Sequence, residues 1–80
     1  SGNPEEAIAA FDRAMTIDPS HEISRFNKGI VLFHDLKDEK GALVAWESLL
    51  AINPKAKSPS GQTLQELVDH IKGNHQEKNE

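Results

Sequence analysis

The chain has 80 residues, 36% of them hydrophobic, with 5 glycines, which falls short of the roughly 45–50% apolar share of an ordinary globular domain. Two independent domains are excluded, and so is a thick core. Without cysteine there is no disulfide, thiolate metal site or cysteine nucleophile, and a formal charge of −4 is not the basic footprint of a nucleic-acid or anionic-membrane surface. No apolar run reaches the roughly 18 residues of a membrane span, so direct insertion into a bilayer is not expected.

In chain order, Ala7, Ile8, Phe11, Ala14 and Met15 form one helical stripe in the segment Pro4 to Ile17. Asn3 fits its N-cap, Pro4 its first position and Glu5 and Glu6 the positive end of its dipole, while Asp18-Pro19 stops it. A second amphipathic helix begins near Ser20 with Ile23, Phe26, Ile30 and Phe33 on one side. Gly29 in its middle costs about 1 kcal/mol against alanine, which points to close approach by a neighbouring helix. His34 to Lys40 makes a polar turn. From Lys37 or Asp38 a third helix carries Ala42, Ala45, Trp46, Leu49, Leu50 and Ile52 on one side, and Asn53-Pro54 ends it.

Lys55 to Gly61 has no periodicity and reads as a connecting loop. Thr63-Leu64-Gln65-Glu66 fits a capping box, followed by Leu64, Leu67, Val68 and Ile71 at helical spacing, with Lys72-Gly73 as the expected stop. Residues 74–80 are expected to be a flexible tail.

The first and third helices share a pattern 35 residues apart: Ala7, Phe11, Ala14 and Pro19 are answered by Ala42, Trp46, Leu49 and Pro54. A period of this length built from helix pairs belongs to helical solenoids, in which each unit buries its face against the next. The stretch Gly2-Asn3-Pro4-Glu5-Glu6-Ala7-Ile8 with Phe11, Ala14 and Asp18-Pro19 resembles the second helix of a tetratricopeptide (TPR) repeat. Phe26-Asn27-Lys28-Gly29, Leu32, Ala42, Trp46 and Pro54 resemble one complete repeat. The resemblance implies an all-α, right-handed solenoid of antiparallel helix pairs with about four helices. Residues 1–54 would be TPR-like, and residues 55–73 a loop and a capping helix packed through Leu64, Leu67, Val68 and Ile71.

Three features depart from the family pattern. The spacing is 35 where the family has about 34, which puts one extra residue between His34 and Gly41. Lys28 and Leu49 stand where leucine and alanine are usual. The first helix of the first repeat is missing, so the chain reads as a C-terminal fragment of a longer array, with Ser1 a cloning remnant. The Ile8, Phe11 and Met15 surface would then lack cover, and self-association through that helix is expected.

Chemistry finds little support. His21, His34, His70 and His75 show no metal-ligand spacing. The carboxylate pairs Glu5-Glu6 and Asp38-Glu39 are explained as helix starts, and no serine sits in a nucleophile-elbow context. Neither catalysis nor a cofactor is expected.

The resemblance implies a concave groove lined by Ile23, Phe26, Asn27, Ile30, Phe33 and His34, with Asn27 matching a family position that contacts a ligand's main chain. A side-chain amide donates and accepts at once. With Ile23 and Phe26 where chaperone-tail-binding members carry basic residues, the groove favours an apolar segment or an amphipathic helix. The expected role is a protein or peptide interaction scaffold. The alternative is a packing or oligomerisation module of a larger assembly protein; Ala45-Trp46-Glu47 and Leu49-Leu50-Ala51 resemble bacterial cytochrome c maturation factors with periplasmic TPR domains. Compartment and partner identity are not legible, since cytoplasm and periplasm are both compatible with this composition.

Overall fold

A computed structural model describes residues 3–78; Ser1, Gly2 and residues 79–80 of the expected tail lie outside it. The described chain is all-α, with four helices: α1 Pro4–Ile17, α2 Glu22–Ile30, α3 Glu39–Ile52 and α4 Leu64–Lys78. Between α2 and α3 the helix widens into a π turn over Val31–Asp35. An isolated antiparallel bridge joins Lys57 to Thr63, and no longer strand forms among the described residues.

The helix starts follow from side chains that satisfy free N–H groups. Asn3 Oδ1 accepts from the Glu6 N–H at 3.2 Å and Asp38 Oδ1 from the Gly41 N–H at 3.0 Å. Thr63 Oγ1 accepts from the Glu66 N–H at 3.2 Å. At α2 the cap is His21, whose Nδ1 accepts from the Ser24 N–H at 3.2 Å. Ser20 instead closes a small turn, donating through N–H and Oγ to Asp18 Oδ1.

α2 and α3 form an antiparallel hairpin, since contacts at the start of one fall on the end of the other. Asn53 Nδ2 donates to the Glu22 carboxylate at 3.2 and 3.3 Å, Arg25 Nη1 to Ser48 Oγ at 3.2 Å, and Trp46 Nε1 to the Phe26 carbonyl at 3.1 Å. Gly29 has the close neighbour expected of it: a Cβ there would lie 2.1 Å from Trp46 Nε1. α1 packs on α2, tied by a Lys28–Asp12 ion pair of 2.7 Å.

Trp46, Leu49, Leu64 and Val68 are buried almost completely and, with Ala42, Ala56 and Ile71, form the core between α3 and α4. Three of the four expected capping-helix residues, Leu64, Val68 and Ile71, thus lie in the core; Leu67 is half-buried beside it. Phe26 and Phe33 pack against Trp46, with ring centroids 6.3 and 5.9 Å away. α1 adds no fully buried residue; Ile8, Phe11 and Met15 are half-buried. The radius of gyration, 12.8 Å, exceeds the about 11.6 Å of a compact chain this long, as suits helices laid side by side.

Three expectations need correction. The loop 55–61 is not merely a connector: Ala56 is only 4% exposed, and its carbonyl accepts from the Leu64 N–H at 2.8 Å. The polar turn expected over His34 to Lys40 is partly helical, because the π turn of Val31–Asp35 takes in His34 and Asp35. Leu36 N–H bonds to Val31 O at 3.1 Å, and Asp38 N–H to Leu32 O at 2.7 Å, with Lys37 turned to φ 56° to close the helix. Finally, α4 passes through Gly73 and continues to Lys78. Gly73 does not adopt the left-handed conformation that would stop the helix, so the stop expected at Lys72-Gly73 is not made.

Candidate ligand cleft

Ile23, Phe26, Asn27, Ile30, Phe33 and His34 share one side of α2 and its π turn because they recur at three- and four-residue steps. All six line two adjoining clefts. The larger, about 500 Å³, has Phe26, Asn27, Ile30, Phe33 and His34 along α2, with Trp46 of α3 at its base. Its other wall is one that sequence reasoning missed: Ser58, Pro59, Ser60 and Gln62 from the loop, with Leu67 of α4. The smaller cleft, about 260 Å³, continues along α2 past Glu22 and Ile23 to Lys57, with Phe26, Asn27 and Pro59 common to both.

α2 and α4 each pack on α3, but their backbones do not approach within 8 Å, which leaves the space the loop partly roofs. The loop keeps its shape through backbone bonds. Ser58 N–H donates to Gln62 O at 2.7 Å, and Gly61 N–H to Ser58 O at 2.9 Å. Gly61 sits at φ +96°, a conformation L side chains rarely adopt. The signal for this wall was the Pro59–Gly61 turn chemistry; its pairing partner across the cleft is a tertiary fact that spacing does not carry.

The cleft is chiefly apolar, with polar groups at its edge. Asn27 is half-buried, and among the described residues its side-chain amide has no hydrogen-bond partner. His34 is exposed and meets the Phe33 ring edge-on at 5.1 Å. Of the two charged residues lining the small cleft, Glu22 and Lys57, Glu22 is held by Asn53. Such a surface suits an apolar group flanked by a main chain that needs a donor and an acceptor.

A third cavity, about 280 Å³, lies on the opposite side of the hairpin and is lined by Met15, Arg25, Lys28, Val44 and Ser48. Its cations are committed, Lys28 to Asp12 and Arg25 to Ser48 and the Pro19 carbonyl, so it offers little free charge. Among the described residues no three His, Asp or Glu side chains gather as metal ligands, and no helix is long and apolar enough to cross a membrane. The side chain of His75 lies outside those described. Comparison with protein-family profiles, curated proteins and solved structures found no match.

Proposed function

We propose that this chain is part of a TPR-type right-handed solenoid and serves as an interaction scaffold without catalysis of its own, holding an apolar peptide or protein segment in the cleft along α2. The observation that carries this reading is Asn27, a half-buried amide without an internal partner, facing a cleft otherwise walled by Phe26, Ile30 and Phe33. The amide reaches solvent at the cleft edge and is not a buried unpaired group, so it is open to donate to and accept from a ligand main chain. Support for the repeat architecture comes from the antiparallel α2/α3 hairpin, the 35-residue recurrence, and the π turn. A π turn takes one more residue per ring than an α turn, so it is a natural place for the residue by which the spacing exceeds about 34.

The test is binding to a cellulose-bound peptide array. Peptides with paired apolar side chains should bind, and Asn27→Ala should reduce that binding about tenfold while the far-ultraviolet circular dichroism stays unchanged. Equal binding by the variant would sink the groove assignment.

A packing or oligomerisation role through α1 is the second reading. Ala7, Phe11 and Ala14 are only half-buried where their 35-residue counterparts Ala42, Trp46 and Leu49 are buried. Sedimentation equilibrium separates the two, because a concentration-dependent dimer lost in Phe11→Ser would favour the packing role.

A further inference from the structure

We propose that Ser58 is a phosphoacceptor for a proline-directed protein kinase, and that the phosphate closes the larger cleft to apolar ligands. The second half rests on the cleft being the ligand site; the first does not. Ser58 is the one serine or threonine in the chain followed by proline. Pro59 biases Ser58 toward extended backbone, and the residues around it, Lys57 and Pro59 to Gln62, are exposed. A short turn holds the segment, through the Ser58–Gln62 and Gly61–Ser58 backbone bonds and the Lys57–Thr63 bridge at its base, and opening of that exposed turn is the route by which an enzyme gains the hydroxyl.

The position of the hydroxyl gives modification a consequence. Ser58 and Ser60 share an Oγ–Oγ hydrogen bond of 2.8 Å, and both line the wall facing Phe26 and Phe33. In the transfer, Ser58 Oγ attacks the γ-phosphorus of ATP and forms an O–P bond as the bond to the β-phosphate oxygen breaks. ADP leaves with that electron pair, and the hydroxyl proton passes to the kinase's base. The product carries about −1.5 to −2 charge on the rim of an apolar cleft. An apolar ligand would then have to strip water from a dianion without replacing its hydrogen bonds. Lys57, next to Ser58 in the chain and bordering the smaller cleft, supplies a cationic partner for the phosphate.

The full chain is incubated with a proline-directed serine/threonine kinase and MgATP, the phosphate is mapped by mass spectrometry, and the neutral dye Nile red reports the cleft. Expected are one phosphate on Ser58, absent from Ser58→Ala and retained in Ser60→Ala, and at least a fivefold loss of Nile red emission on phosphorylation. Modification of Ser60 instead, or none of the native chain, overturns the acceptor assignment. Phosphate on Ser58 with undiminished emission overturns the closure. Failure of the unmodified chain to bind Nile red contradicts the cleft reading itself, and the mass assignment then decides the acceptor alone.

Discussion

Trp46 lies against Gly29 so closely that a Cβ on the glycine would be 2.1 Å from the indole Nε1, the atom that donates to the Phe26 carbonyl at 3.1 Å. The missing side chain at Gly29 is what lets α2 and α3 meet. Gly29→Ala gains about 1 kcal/mol of helix propensity but forces apart two packed helices. Overpacking wins, and the variant should lose about 2–3 kcal/mol. In a chain this size that is a Tm decrease on the order of 10–20 °C, read by thermal circular dichroism.

Trp46 itself is 1% exposed and contacts Phe26 of α2 and Phe33 of the π turn. Trp46→Phe keeps an aromatic ring and removes the Nε1 donor, with an expected loss of about 1–2 kcal/mol. Trp46→Ala also opens a cavity beneath the cleft and should cost about 3–5 kcal/mol. Urea titration of both variants checks the order; equal losses would mean that the indole's bulk contributes nothing.

Ala56 joins the loop to the core, at 4% exposure with its carbonyl bonded to Leu64 N–H. Ala56→Asp would bury an unpaired carboxylate among Leu49, Leu64 and Val68 and should destabilise the chain by about 3 kcal/mol or more. The Lys72–Glu47 pair, half-exposed on both sides, is the matching control: Lys72→Ala should change stability by less than about 1 kcal/mol. Chemical denaturation of the two variants side by side reads the contrast.

Lys37, at φ 56°, holds a conformation that costs an L residue about 1–2 kcal/mol. Lys37→Gly relieves it at some cost in chain entropy, for a net gain of up to about 1 kcal/mol. Gly61→Ala has the opposite sign, because the new side chain must take φ +96°. It should lose about 1–2 kcal/mol and disorder the outer wall of the cleft. Paired urea midpoints show whether the signs differ as expected.

Much of this structure was legible because local chemistry and local geometry agree. Asn3, Asp38 and Thr63 mark helix starts by hydrogen bonds that span three residues, and Gly29 announced its neighbour by being a poor helix former. Ile23, Phe26, Ile30 and Phe33 fell on one side by periodicity, while Asn27 and His34 joined them only through the family resemblance. What was not legible depends on distant partners or on hydrogen-bond register. A single alanine between Lys55 and Lys57 gives no sign that it enters the core. The π turn at Val31 is a one-residue slip with no marker in composition, and Gly73 carries a stop signal that the backbone of α4 does not use. The cleft's second wall needed the loop folded back toward α2, so only half of the candidate site appeared in the pattern.

The proposed binding surface is the cleft between α2 and the Ser58–Gln62 loop. Its most direct test is a two-dimensional ¹⁵N–¹H nuclear magnetic resonance titration of the labelled chain with the strongest array-selected peptide. Shifts should concentrate on the backbone amides of Phe26, Asn27, Ile30 and His34 and of Ser58 to Gln62. Shifts confined to Ala7, Phe11 and Ala14 of α1, or none at peptide saturation, would contradict it.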